Sequence, residues 1–495
     1  MRRSFTARAL FAAWLFVLAA FGRGPAEASG EGGQALVSDL NQIFDAPVLA
    51  RALVGVRVES LARPGVIYER NANSLVMPAS NLKLFTLAAS AERLGWNFTF
   101  ETRVEAAGTI ADGALRGDLV VVGGGDPSIG SQDFGAAPMF SEWADALKQA
   151  GIRRVDGRLL GDDHFFDQAN LGAGWAWDYL ADGYAAPVGG LSYNENVAVV
   201  RIWPGEAPGD PVRVEVSPPG HQLEITNALK TVDGKASAAI DLARLPGSAR
   251  LTISGTVPAG GKMVTRTAAI DNPTRFFVEG LRLAFADRGI RITGGAWDLD
   301  DVTNPPAEAG RRVIARRQSP PLSALVGYWL KVSQNFYAET FFKTLGRAPG
   351  QPGSAEGGRK AVRDVLTPWG IPPDSYVMND GSGLSRYDYV TAAGVVTLLR
   401  HVWEDERLRG PFVAALPVGG HDGTLSSRMK DTVLDANVEA KTGTISNVRS
   451  LSGYLETKAH EKLVFSMIVN HFTAADSQVD AVVERALARL VDKDR

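Results

Sequence analysis

The strongest constraint on the fold is a change of texture that happens twice along the chain. From Phe98 to about Thr303 the sequence runs in short β-type stretches broken by Gly and Pro turns, such as "LRGDLVVVGGGDPS", "PVRVEVSPPG" and "RLTISGTVPAGG". One helix interrupts it, "TRFFVEGLRLAFADRG", with Phe277, Leu281, Leu283 and Phe285 as its apolar positions and Gly289 as its stop. On both sides the pattern is different. Before it, Val54, Val56 and Val58 alternate with polar neighbours in one strand, a turn at Pro64-Gly65 leads to a second, and a helix follows from about Ser80 to Leu94. After it come long apolar helices, then the strands "NVEAKTGTI", "SLSGYLET" and "KLVFSMIVNHF" and a last amphipathic helix carrying Val479, Val482, Val483, Leu487 and Leu490. A chain of 495 residues exceeds one core and calls for two to four domains. An α/β (α+β) organisation follows, in which strands from both chain ends share a sheet. The outer domain is discontinuous, residues 29–96 and 310–495. A β-rich region at 97–309 is inserted into it, read as two subdomains at about 97–200 and 201–309, with "TNPPAEAG" marking the return near Pro305.

The first 28 residues read as a signal peptide. Arg2, Arg3 and Arg8 precede an apolar run from Ala9 to Phe21, and Ala26-Glu27-Ala28 is a small-x-small cleavage site. The run is short for a bilayer span, and no second segment of spanning length follows, so the mature chain is expected to be secreted and extracytoplasmic. A formal charge of −3 with no basic block beyond the leader argues against nucleic acid. The chain has no cysteine, which removes disulfides, thiol nucleophiles and thiolate metal sites, and its six histidines form no ligand-like pair. No metal or cofactor is implied.

Chemistry enters with "MPASNLKLFT". Ser80 and Lys83 stand at i and i+3, so they can touch if Ser80 opens the helix, as Pro78 just ahead suggests. Alone, Ser-x-x-Lys is weak: Ser80 would serve as a cap with Lys83 solvated, and Ser427-Arg-Met-Lys430 is a second copy. A serine hydroxyl becomes a nucleophile only when a base removes its proton, and a lysine is such a base only if its pKa is depressed by a dry site or a second cation. Lys441-Thr442-Gly443, the single Lys-Thr-Gly of the chain, offers that cation on a strand where Gly443 would admit a substrate backbone. Ser333-Gln334-Asn335, at the end of a helix whose buried side carries Leu322, Leu325, Val326, Trp329 and Leu330, offers a hydroxyl and an amide. Its rival, Ser192-Tyr193-Asn194, lies inside the β-rich region and reads as a turn.

Ser-x-x-Lys, Ser-x-Asn and Lys-Thr-Gly in this order resemble the penicillin-binding proteins and serine β-lactamases. About 250 residues part Ser80 from Ser333, a gap several-fold longer than in β-lactamases. The chain is therefore similar to the class C low-molecular-mass penicillin-binding proteins, the D-alanyl-D-alanine carboxypeptidase and endopeptidase family of penicillin-binding protein 4. "GGGDPS", "GDDHFFD", "GLSYNEN", "NDGSGLSR" and "PVGGHDGTL" fit it as well, and Gln334 departs from the usual Asp or Asn. The resemblance implies a transpeptidase-like fold, an antiparallel sheet flanked by helices plus a helical subdomain. It implies Ser80 as the acylated nucleophile, Lys83 as its base and Ser333 as a proton relay to the leaving amine. Asn335 would hold Lys83 and the substrate amide. Lys441 would bind the terminal carboxylate and keep Lys83 neutral, with Thr442 and Thr444 at the same carboxylate, and the N–H groups of Ser80 and Thr444 would form the oxyanion hole.

The expected activity is that of a periplasmic serine DD-peptidase acting on peptidoglycan peptides, and β-lactams would acylate the same serine. A β-lactamase and a non-catalytic wall-binding module are the alternatives. "NDGSGLSR" reads as a Gly-rich turn shaping the cleft wall. His421 and Asp422 lack the Gly-x-Ser-x-Gly elbow that would make a triad of them. Asp162 and Asp163 are candidates for meeting a cationic group on the stem peptide. The last helix is expected to pack on the sheet, with at most peripheral membrane contact.

Overall fold

The computed structural model describes residues 31–131 and 135–493; the expected leader lies outside them. The central sheet has five antiparallel strands: β1 (Leu53–Ser60), β2 (Val66–Arg70), β3 (Glu439–Ile445), β4 (Val448–Glu456) and β5 (Lys462–Asn470), in the order β3-β4-β5-β1-β2. Leu53 pairs with Asn470 and Ser60 with Leu463, so the two ends of the chain meet in adjacent strands. Both faces of β5 are covered, which explains its nearly unbroken apolar sequence. Leu463, Phe465, Met467 and Val469 face the cluster of helices α1 (Glu31–Phe44) and α8 (Asp476–Val491). Val464 and Ile468 face the opposite way, into a cluster shared by α2 (Lys83–Leu94), α3 (Leu322–Lys331), α4 (Asn335–Leu345), α5 (Ala355–Leu366), α6 (Ala392–Glu404) and α7 (Glu406–Ala414). This is the two-residue period of a strand used on both faces. The α3–α4 contact is anchored by Trp329 stacked on Phe341, with centroids 5.0 Å apart and an interplanar angle of 6°.

The apolar stripe of α8, Val479, Val482, Val483, Leu487 and Leu490, is buried in the sheet cluster. The sheet thus uses the surface a membrane would need. Among the described residues no helix is long and apolar enough to cross a membrane.

The β-rich middle is nested rather than divided in sequence. Its seven-stranded sheet takes strands from residues 101–162 and again from 291–318, while residues 197–269 build two separate three-stranded sheets between them. The split at about 200 expected from sequence is therefore replaced by one unit set inside another. The expected return at 310 also shifts. Arg312–Gln318 pairs antiparallel with Glu101–Ala111, and Ser319 N donates to Phe100 O at 2.9 Å, so the β-rich sheet runs to Gln318. The run "NPPAEAG" is a loop within that region: Pro and Gly mark a turn wherever one occurs, and nothing local tells an internal turn from a boundary.

Candidate active site

The helix expected from Ser80 begins as a 3-10 turn, Ala79–Leu82, and becomes α-helical only at Lys83. Ala79, at φ +46°, holds a left-handed conformation that alanine seldom adopts. The tighter winding matters chemically, because side chains at i and i+3 eclipse in a 3-10 turn. Lys83 Nζ comes to 2.8 Å from Ser80 Oγ.

The mouth of this helix is pinned to the edge strand β3. Asn81 Nδ2 donates to Lys441 O at 2.9 Å, and Ser450 Oγ on β4 donates to Pro78 O at 2.6 Å. Gly443 allows the approach: a Cβ there would lie 2.1 Å from Ser450 Oγ, 2.7 Å from Pro78 O and 3.0 Å from Ser80 N. The sequence suggested that this glycine clears space for a substrate backbone. In the structure it clears space for the segment that carries Ser80.

Ser333 lies between α3 and α4 with φ +62°, a second non-glycine residue in the left-handed region. Its Oγ accepts from Lys441 Nζ at 2.8 Å. Two residues on, Asn335 opens α4, and its Oδ1 accepts from Lys83 Nζ at 2.6 Å while its Nδ2 donates to Tyr184 O at 2.8 Å. Between them Gln334 caps α4, accepting from Phe336 N at 3.1 Å, and its amide reaches Glu195. These bonds go to neither Ser80 nor Lys83, so the departure at this position leaves the serine–lysine pair untouched. The rival Ser192 bonds to Gly189 O and Asn196 Nδ2, inside the β-rich region.

Three of the predicted segments therefore converge on one cleft, lined by Ser80, Ser333, Asn335, Thr442 and Thr444 together with Tyr179 and Tyr184 of the β-rich region. Thr442 Oγ1 lies 2.6 Å from Thr424 Oγ1, and Thr444 Oγ1 accepts from Arg449. Lys83 is fully buried, and burial lowers its pKa to about 7, against the opposing pull of the Asp380 and Glu339 carboxyls. Lys441 is buried as well, and its amine is pushed well below the usual lysine range, first by burial and then by Lys83. This revises the expectation that a second cation keeps Lys83 neutral. The dry site does so, and it is Lys83 that works against the charging of Lys441.

A neutral amine has two N–H bonds and one lone pair. Lys83 has three neighbours, of which Asn335 Oδ1 and the Ser382 carbonyl, at 2.8 Å, can only accept. Both N–H bonds are thereby occupied, and the lone pair is left for Ser80. The arrangement can take a proton from a serine hydroxyl, with a second hydroxyl, Ser333, on a second amine nearby.

Sequence reasoning placed Ser382 in a turn of the cleft wall without its bond to Lys83 and missed Tyr184; both contacts are made by backbone carbonyls and so have no residue signature. Other candidates lie elsewhere. His421 pairs with Asp435 at 3.0 Å, and Asp422 pairs with Lys331 at 2.6 Å. Asp162 bonds to His164, and Asp163 is buried against Thr274 at 2.8 Å; neither lines the cleft, and the acidic recognition expected of them is withdrawn.

Residues 36–493 match the D-Ala-D-Ala carboxypeptidase 3 (S13) family, and the chain belongs to that family. It is 32% identical to a D-alanyl-D-alanine carboxypeptidase of Actinomadura sp. (strain R39), over 90% of this chain and 82% of that one. It is 26% identical to a D-alanyl-D-alanine carboxypeptidase of Haemophilus influenzae, over 86% of each. The crystal structure of penicillin binding protein 4 from Haemophilus influenzae superposes with a TM-score of 0.78 at 25% identity, covering 92% of this chain and 98% of that one.

Proposed function

We propose that acyl transfer runs through Ser80. The chain is a D-alanyl-D-alanine carboxypeptidase of its family, and the hydrogen-bond set of Lys83 carries the mechanistic reading. Above about pH 7 Lys83 is neutral and takes the Ser80 proton as Oγ attacks the carbonyl carbon of the penultimate D-alanine. The oxyanion is met by the N–H groups of Ser80 and Thr444, each worth about 3 kcal/mol. The peptide C–N bond breaks, the amine of terminal D-alanine leaves with a proton relayed by Ser333, and water later releases the shortened peptide. Lys441, Thr442 and Thr444 receive the terminal carboxylate, whose negative charge restores the charge that burial takes from Lys441. Asn335 holds Lys83 and the substrate amide.

The substrate proposed is a peptidoglycan stem peptide, with cross-link hydrolysis as an added activity. β-Lactams are proposed to acylate Ser80; the Haemophilus influenzae protein of the same fold has been crystallised with a β-lactam. We further assign the discontinuous outer unit to the chemistry and the compartment to the periplasm, on the strength of the leader motif. The test is intact-mass measurement after incubation with a penicillin, with mapping of the modified peptide, alongside D-alanine release from a wall pentapeptide. A lasting adduct on Ser80 with D-alanine release supports the reading. Rapid loss of the adduct without D-alanine release would make the protein a β-lactamase.

A further inference from the structure

A short segment of the β-rich region governs the catalytic lysine without touching it. The two acceptors that occupy the N–H bonds of Lys83 are each fixed from residues 175–184. The Tyr184 carbonyl takes the Asn335 Nδ2 at 2.8 Å, so the amide cannot turn its NH2 toward Lys83. The Ser382 carbonyl belongs to a turn wound around the carboxylate of Asp380. That carboxylate accepts from Ser382 N at 3.0 Å and from Gly383 N and Ser385 N at 2.7 Å each. Ser382 Oγ also donates to it at 3.4 Å, and Trp175 Nε1 donates from outside the turn at 2.8 Å.

The surroundings explain why the turn needs such a brace. Asp380 is buried, as are Glu339, which accepts from Gly381 N and from Ser382 N at 2.8 Å, and Asp388, which accepts from Asn379 N at 2.6 Å. Asp388 also shares a side-chain hydrogen bond with Asp380, which raises its pKa. Three carboxyl groups share one dry pocket behind Lys83, and burial together with mutual repulsion pushes Glu339 up to about 8 and Asp388 well above the carboxylate range. A carboxylate in such company stays in place only while every donor does.

We propose that Asp380 is a positioning residue for acyl transfer and that Trp175 holds it there, so that the Ser382 carbonyl keeps one N–H of Lys83 occupied and its lone pair on Ser80. The β-rich region thereby contributes to the rate of chemistry as well as to the shape of the cleft. This inference rests on the acyl-transfer reading. The charged groups facing Lys83 are Asp380 and Glu339, which favour its protonated form, and Lys441, whose own charging Lys83 opposes; Asp388 lies against Asp380 and Glu339, which raise it.

Two variants of the full chain test it, read by the rate of penicillin acylation and by 13C NMR titration of Lys83, assigned with Lys83→Arg. Asp380→Asn removes a negative charge that favours protonated Lys83, so the lysine should titrate at lower pH and acylation at the plateau should slow about 10-fold or more. Trp175→Phe keeps that charge and loses only the indole donor; acylation should slow about 3- to 10-fold with an unchanged melting temperature. The double variant should be no slower than Asp380→Asn. A parental acylation rate in Trp175→Phe overturns the proposal, as does an unmoved Lys83 midpoint in folded Asp380→Asn; should Asp380→Asn not fold, Trp175→Phe alone decides. If the parent protein takes no penicillin at all, the acyl-transfer reading fails, and the Lys83 titration of the two variants still decides the positioning.

Discussion

Two Ser-x-x-Lys tetrapeptides stand in this chain and meet opposite fates. Ser80 and Lys83 begin a helix whose mouth is sealed by an edge strand, a turn and a second helix, and the lysine is wholly buried. Ser427 and Lys430 sit on an exposed loop and stay in water. The same spacing of the same two residue types is a buried, hydrogen-bonded pair in one place and a surface in the other. Desolvation marks the first pair: it lowers Lys83 to about 7.

The comparison can be broken most severely at the nucleophile. Ser80→Ala should lower D-alanine release by about 10^4-fold or more and abolish the penicillin adduct, while Ser427→Ala should leave both at the parental level; an adduct that persists in Ser80→Ala would refute the assignment. Next is the base. Lys83→Ala should slow acylation by about 10^2- to 10^4-fold, and Lys430→Ala should not change it, as measured by single-turnover adduct formation.

The seal itself can be tested with Gly443→Ala. Its Cβ would collide with Ser450 Oγ and Pro78 O, so β3 or the helix mouth must shift. We expect a loss of about 1–3 kcal/mol in thermal stability and a Lys83 that is less dry, seen as a midpoint raised toward that of ordinary lysine. The smallest change needs no mutation. Acylation by a penicillin should fall about tenfold per pH unit below the Lys83 midpoint near 7, because protonation removes the lone pair; a rate that stays flat down to pH 5 would exclude this lysine as the base.

A second pair of copies teaches a related lesson. Ser333-Gln334-Asn335 and Ser192-Tyr193-Asn194 differ little in composition, yet one points its hydroxyl and amide at two lysines, and the other bonds within its own turn. Helical flanks favoured Ser333, and the structure places its Oγ on Lys441. No local feature showed that it would adopt φ +62°, a strained conformation that brings its Oγ to Lys441.

Much of the fold was written in periodicity. The alternation of Val54, Val56 and Val58, the stripe of the last helix and the stops at Gly95 and Gly289 depend on neighbours within one or two turns. Strand partners across several hundred residues do not, and so the return of the β-rich region was placed one strand too early and its inner unit was read as sequential. The side chains Ser80, Lys83, Ser333, Asn335 and Lys441, which the structure joins by hydrogen bonds, could be singled out because their residue types and order are distinctive.

What the sequence determined by itself is therefore a set of reactive groups and the elements that carry them. What the tertiary structure decided is their protonation and aim. The dryness of Lys83, the carbonyls of Ser382 and Tyr184, and the carboxyl cluster behind them arise from groups far apart in the chain. A pKa and a lone-pair direction depend on everything within a few ångströms, and only folding settles which residues those are.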